Sequence, residues 1–362
     1  MAKIKLTCSH CGRLLQCDEA VHAIKVKCPH CKHTTAVAVT ALCPEQPVIR
    51  RVPKWKGKGK WLWAAGVLCL LVVLGLVIAP FVLPARLHWP DRRPIGVLFL
   101  ASNYHSSATN PRGWFNDPSL DVTGPGGRER FRKALWKYTD RSLAILRRTG
   151  AQGVIVWDLE GEQFPHKTTF IGDPRLVDRL APEMAPVVDE FFARLRNAGL
   201  RVGVTIRPQQ LVFGDNGVPR QTPVLNMQRV LLSKIDYARA HWGATLFYVD
   251  SNYGMWRPDE WWQLRRVAEQ RPDVLLIPEH HDLAYLSFCA PYVALRKGAS
   301  AITSPWARKW FPDSFRVLEI SDASSDWTGI LAARLNGDVL LFRAWFWSPE
   351  CQFLEKSVKE QP

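Results

Sequence analysis

No charged residue occurs between Trp61 and Ala85, although the 362-residue chain carries a formal charge of +15. Residues 61 to 79 alone are almost pure Leu, Val, Ala and Gly. At about 1.5 Å per residue, about 20 such residues cross a hydrocarbon core of roughly 30 Å. A signal peptide would begin the chain, whereas about 60 folded-looking residues precede this run. One transmembrane helix over 61–83 is therefore expected. Six Lys and Arg lie in residues 50–60, and three (Arg86, Arg92, Arg93) follow the span. By the positive-inside rule, the N-terminus stays in the cytoplasm and the C-terminal part is exported, to the periplasm or another extracytoplasmic space.

Other absences narrow the function. Seven of the nine cysteines precede residue 70, leaving Cys289 and Cys351 to the large remainder, so a disulfide framework is excluded there. Those two can pair or stay buried as thiols. No Gly-rich phosphate turn follows the first apolar strand, which argues against a dinucleotide-binding sheet. The basic excess is concentrated in residues 1–60, with 12 Lys and Arg against 3 Asp and Glu. Much of it is juxtamembrane, and no nucleic-acid reading module accompanies it, so nucleic acid is disfavoured as a partner.

Cys8-Ser-His-Cys11 and Cys28-Pro-His-Cys31 are two CxxC knuckles 16 residues apart. Four thiolates at that spacing can surround one Zn²⁺, and the intervening Ile24-Lys-Val-Lys27 suits a short hairpin. The module is too small for a core of its own, so metal would supply most of its folding free energy. It resembles the short zinc ribbons at the N-termini of many bacterial proteins. With all four positions filled by Cys8, Cys11, Cys28 and Cys31, the expected zinc is structural, and the ribbon reads as a docking element for a cytoplasmic partner.

After the span, three amphipathic helices each end at a glycine (Gly150, Gly199, Gly243) and give way to a near-continuous apolar strand. That is the grammar of a parallel sheet buried on both faces. Strands are expected at 95–100, 153–157, 202–206, 244–249, 274–278, 315–320 and 339–344. A sixth member of the series lies at Tyr292–Leu295 or Ala301–Thr303. Eight βα units in about 260 residues predict a (β/α)8 barrel, with an open doubly wound sheet as the alternative. The expected domains are a zinc ribbon over 1–40, a basic Pro/Gly/Lys linker over 41–60, the span over 61–83 and the barrel over 94–350.

Ionisable residues close four of these strands: Asp158, Arg207, Asp250 and Glu279. In a barrel such ends share one mouth. Two carboxylates flanking one bond are the machinery of glycoside hydrolysis. Arg207 is expected to hold Asp250 ionised, and apolar Leu275–Pro278 to raise Glu279. Ala198–Pro208 and Phe247–Asn252 resemble strands three and four of barrel glycoside hydrolases of the α-galactosidase and α-amylase type. The resemblance implies Asp250 as nucleophile or base and Glu279 as acid. The chain departs from the α-amylase pattern at Tyr248, where Arg stands, and at Pro208-Gln-Gln210, where Asn-His stands.

Trp157 and Trp256, near strand ends, can stack on sugar faces. Asp158, Glu160, His280, Glu319 and Asp322 are further candidate substrate contacts, and no cofactor is expected in the barrel. The expected function is a membrane-anchored, exported glycoside hydrolase acting on a carbohydrate. The alternative is a non-catalytic carbohydrate- or envelope-binding barrel.

Overall fold

The computed structural model describes residues 3–8, 10–12, 14–18, 25–28, 30–32, 34–36, 66–71 and 87–359, save 103, 169, 253–259, 281–282, 296–300 and 322–325. The chain divides into two compact units, Met1–Leu70 and Leu71–Pro362.

The first unit contains two antiparallel hairpins, β1 (Lys3–Thr7) with β2 (Leu14–Asp18) and β3 (Lys25–Lys27) with β4 (Thr34–Ala36). Each CxxC knuckle occupies the turn of its own hairpin, so the expected single hairpin between the knuckles is replaced by two. The two halves repeat at an offset of twenty residues, matching Cys8 to Cys28, His10 to His30 and Cys11 to Cys31. Both turns close alike. Gly12 and Lys32 take left-handed φ of 68° and 61° and donate to the carbonyls of Cys8 and Cys28 at 2.9 and 3.0 Å.

Of the predicted span, only residues 66–71 are described; they are helical and exposed, and the rest lies outside the described residues. Among the described residues no helix is long and apolar enough to cross a membrane.

In the second unit, eight parallel strands form one sheet. They are β5 (Ile95–Phe99), β6 (Gly153–Trp157), β7 (Arg201–Ile206), β10 (Leu246–Val249), β11 (Leu275–Pro278), β12 (Tyr292–Ala294), β13 (Val317–Glu319) and β14 (Val339–Arg343). A small hairpin, β8 (Gln210–Phe213) with β9 (Pro219–Thr222), follows the third barrel strand. β14 pairs with β5, so the sheet curls into a nearly closed barrel. Its seam lies between β11 and β12, where the described residues form no ladder, although the Ala290 amide donates to the Leu276 carbonyl at 3.0 Å. The sixth strand is thus Tyr292–Ala294, the first of the two sequence candidates.

Strand alternation sorts the apolar residues into two layers. Ile95, Val97, Ile155, Leu246, Leu275, Ile277, Val317 and Leu341 pack inside the barrel. Their neighbours Leu98, Val154, Val156, Val204, Phe247, Leu276 and Leu318 face the helices. The principal helices are α1 (Gly127–Arg148), α2 (Val188–Asn197), α3 (Met227–Trp242), α4 (Trp261–Gln270), α5 (Pro305–Trp310), α6 (Trp327–Leu335) and α7 (Pro349–Lys359). Gly150, Gly199 and Gly243, just past the first three, have positive φ, as their cap role requires. α2 starts at Val188, so Met184 and Val187 pack from the preceding turns. Cys289 and Cys351 are both buried, and neither forms a disulfide.

The segment before β5 forms the barrel floor. Leu87 and Trp89 are buried in the interior cluster, and Trp89 Nε1 donates to Gln152 Oε1 at 3.0 Å. Gln152 in turn donates to the Asp91 and Arg93 carbonyls, at 3.2 and 2.5 Å. Because Trp89 closes the lower end of the core, Trp89→Ala is expected to cost about 3–5 kcal/mol. A chemical-denaturation midpoint left unchanged would show that the floor contributes nothing to the fold.

Candidate active site

The C-terminal ends of β7, β10 and β11 bring three ionisable groups together. The Asp250 amide donates to the Ile206 carbonyl at 2.9 Å, and the Glu279 amide to the Val249 carbonyl at 3.1 Å, so the ladder runs past the strands into the mouth. Asp250 Oδ2 accepts from Arg207 through both Nε and Nη2. The Glu279 carboxyl is a near neighbour, close enough to raise the Asp250 pKa. Glu279 Oε2 accepts from the Ser251 amide at 2.9 Å.

The division of environments differs from the one the sequence suggested. Burial raises the Asp250 pKa to about 6; Arg207 opposes that rise and the Glu279 carboxyl adds to it. The Arg207 charge therefore fails to keep Asp250 at an ordinary carboxylate value, because desolvation is the larger effect. Glu279 is the more open of the two, its side chain 35% exposed against 6% for Asp250, so the apolar run before it does not enclose it.

A cavity of about 290 Å³ occupies the mouth. Phe99, Trp157, Phe170, Tyr248 and Tyr292 give it aromatic walls; Glu279, Glu319 and Arg343 give it charge. The rings form a continuous chain. Phe99 stacks on Trp157 at 5.3 Å, Trp157 meets Tyr248 at 4.5 Å, and Tyr248 meets Tyr292 edge-on at 5.3 Å. Burial and the Glu279 and Asp250 charges push the Tyr248 hydroxyl above the usual phenol range, so it remains a donor. Tyr248 thus occupies the mouth where the α-amylase pattern places Arg.

The other sequence candidates separate. Trp157 and Glu319 line the cavity, and His280 Nε2 lies 3.7 Å from Glu279 Oε2. Asp158 and Glu160 are buried away from the cavity wall. Glu160 Oε1 accepts from the Asp173 amide at 2.6 Å, a loop-building role in place of the expected substrate contact. Burial, reinforced by the Glu162 and Glu160 charges, drives Asp158 well above the carboxylate range. Trp256 and Asp322 lie outside the described residues.

Two residues escaped the sequence reading. Asn252 is fully buried and ties the mouth loops together: its Nδ2 donates to the His280 carbonyl at 2.9 Å, and its Oδ1 accepts from the His280 amide at 2.6 Å. Its place two residues past a strand-end carboxylate was the only available signal. Lys234, in the middle of α3, is also wholly buried. Its Nζ donates to the carbonyls of Arg207 at 2.7 Å and of Gly172 and Gln209 at 3.0 Å, and lies 3.4 Å from Asp173 Oδ2. Burial pulls its pKa down to about 8 against the opposing pull of Asp173. The place of Lys234 seven residues after Met227 and three after Leu231, on the apolar stripe of the helix, was the available signal.

In the first unit, the four knuckle cysteines place their sulfurs within 4.8 Å of one another. Cys8 and Cys31 Sγ are 3.7 Å apart, and Cys11 and Cys28 Sγ 3.8 Å. Tetrahedral zinc with Zn–S of about 2.3 Å requires sulfur separations of about 3.8 Å, so the donor set fits the ion. Hydrogen bonding from the Cys31 amide favours the Cys28 thiolate.

Burial raises Glu160 to about 7 and Asp250 to about 6. Both release their protons near pH 4 when unfolded, so the folded chain holds extra protons between about pH 4 and pH 7. This part of the stability is complete below that window and lost as pH rises through it. Glu160→Gln is expected to flatten the dependence by on the order of 3 kcal/mol. Unfolding curves across the window, equally steep in both proteins, would count against the assignment.

No protein-family model matches the chain, and no curated protein matches it. Among solved structures it is similar to the Thermotoga maritima alpha-fucosidase in complex with fucose, at 12% identity and a TM-score of 0.40, over 77% of this chain and 75% of that one. It is also similar to the alpha-galactosidase from Lactobacillus brevis, at 10% identity and a TM-score of 0.38, over 74% and 40%. A third likeness is to a maltogenic alpha-amylase from Thermotoga neapolitana, at 13% identity and a TM-score of 0.32, over 56% and 49%. The chain thus spans half or less of the last two proteins. At these scores a likeness carries no argument about chemistry, which rests on the residues of the mouth.

Proposed function

We propose that the barrel binds a carbohydrate at its mouth and cleaves a glycosidic bond there. The observation that carries this reading is an aromatic-walled cavity with Glu279 and Glu319 on its lining and the Arg207–Asp250 pair behind Glu279. Glu279 protonates the leaving oxygen. Asp250, off the cavity wall and paired with Arg207, stands behind Glu279 as a positioning charge, a role that replaces the nucleophile its strand position suggested. Glu319, from β13, serves as base toward water or attacks the sugar carbon itself. Aromatic faces supply stacking for sugar C–H groups.

One observation favours a second reading, a carbohydrate-binding barrel without chemistry. Asp250 is not part of the cavity lining that Glu279 reaches, so the two carboxylates do not flank a bond held in that cavity. Glu279→Gln and Glu319→Gln separate the readings. Under the first, each lowers hydrolysis of aryl glycosides by about 10²–10⁴-fold while calorimetric sugar binding persists. Sugar binding by a wild-type protein that hydrolyses none of a broad glycoside panel would leave the second standing.

We further propose that residues 61–83 span a membrane with the N-terminus inside, and that the ribbon holds one structural Zn²⁺ through Cys8, Cys11, Cys28 and Cys31 to dock a cytoplasmic partner. When bound, the metal supplies folding free energy to a unit with little core. Metal analysis is expected to find one zinc per chain, and Cys11→Ser with Cys31→Ser to abolish it while leaving sugar binding unchanged. Zinc retained by that double variant would refute the assignment.

A further inference from the structure

We propose that the barrel floor, at the opposite end from the mouth, is a second site: an arginine-lined pocket that seats on the headgroup phosphates of an anionic lipid surface. It rests on the reading of 61–83 as a membrane span. A cavity of about 440 Å³ lies under β5 and β14, lined by Arg92, Arg93, Arg334, Asp338, Ser357 and Val358 among others. All come from the bottom of the barrel: the floor segment, the C-terminal ends of α6 and α7, and the approach to β14.

Its charge balance favours an anion. Among the described residues, Arg92 and Arg334 are ion-paired with no carboxylate. Arg92 donates to the carbonyls of Trp89 and, at 3.1 Å, Asp313; Arg334 donates to the Ser357 carbonyl at 3.1 Å. Arg93 is paired with Asp91 at 2.8 Å. The lining carboxylate, Asp338, is already engaged by Thr303, Asn336 and the Arg316 amide. Burial, with help from the Arg308 charge, weakens the hold of Arg92 on its proton, a cost that a bound phosphate would relieve.

Two further facts select a lipid as the source of that phosphate. Leu335 is 79% exposed beside Arg334, and Val358 is 39% exposed on the cavity rim. Aliphatic side chains standing free beside arginines suit a headgroup layer. The second fact is covalent. Leu87 is buried inside the floor, and only residues 84–86 separate it from the end of the predicted span, a reach of about 15 Å at most. A tether that short, entering at the barrel axis, forces the floor toward the bilayer and points the mouth away from it. Basic residues near such a surface are attracted to anionic lipid.

The test uses the full chain in vesicles of phosphatidylcholine, alone or mixed in equal parts with phosphatidylglycerol, read by hydrogen exchange over residues 89–94 and 334–338. Exchange is expected to slow by about tenfold in the anionic vesicles. Arg334→Gln with Leu335→Ser, both at an exposed helix end, should abolish the difference, whereas Arg92→Gln also disturbs packing on Phe315. Equal exchange in the two lipids, or protection surviving in the double variant, overturns the proposal. So does equal protection by inorganic phosphate in neutral vesicles, which would make the ligand a free anion. Alkaline carbonate washing tests the span separately. A chain that washes out overturns the membrane reading, while a retained but unprotected chain overturns the floor site alone.

Discussion

An ammonium group with no contact to solvent sets the geometry of the mouth. Taking a lysine out of water costs several kcal/mol unless its donors are met. Lys234 meets that demand with the carbonyls of Gly172, Arg207 and Gln209, and with Asp173 nearby. In doing so it joins the loop after β6 to the end of β7, and the Arg207 amide donates to Gly172 to complete the join. The guanidinium that leaves this clamped backbone reaches Asp250, and Asp250 reaches Glu279. Each link orients the next, so a charge far from the cavity fixes a group on its wall.

The strand order of the fold was legible because burial on both faces writes itself as apolar runs, and because glycine caps punctuate α1, α2 and α3. Position after a strand also found the charges that meet at the mouth. What sequence could not supply was depth. Asp158 and Glu279 both close apolar strands, yet Asp158 is buried off the cavity wall and Glu279 lines the cavity. The loop behind each strand, rather than the strand itself, decides which carboxylate meets solvent. Lys234 stands on the apolar stripe of its helix, so its inward position was legible from spacing, while the carbonyls that receive its charge were not.

Depth also explains why the Arg207 pair behaves unlike a surface ion pair. In water, an adjacent guanidinium lowers a carboxylate pKa. Around Asp250, desolvation and a second carboxyl work against it, and the balance lifts the Asp250 pKa to about 6. The aromatic chain from Phe99 to Tyr292 lines the same cavity as Glu279.

The seam between β11 and β12 gives the barrel an uneven stiffness. Everywhere else around the wall, neighbouring strands are laced by backbone ladders, which resist shear. At the seam the described strands lack that lacing, and Glu279 stands on one lip while Glu319 lies one strand beyond the other. The wall can thus yield in one direction, like a split ring. Flexing there changes the gap between the two cavity carboxylates without breaking any strand pairing, and the size of the cavity becomes a mechanical variable set at one joint.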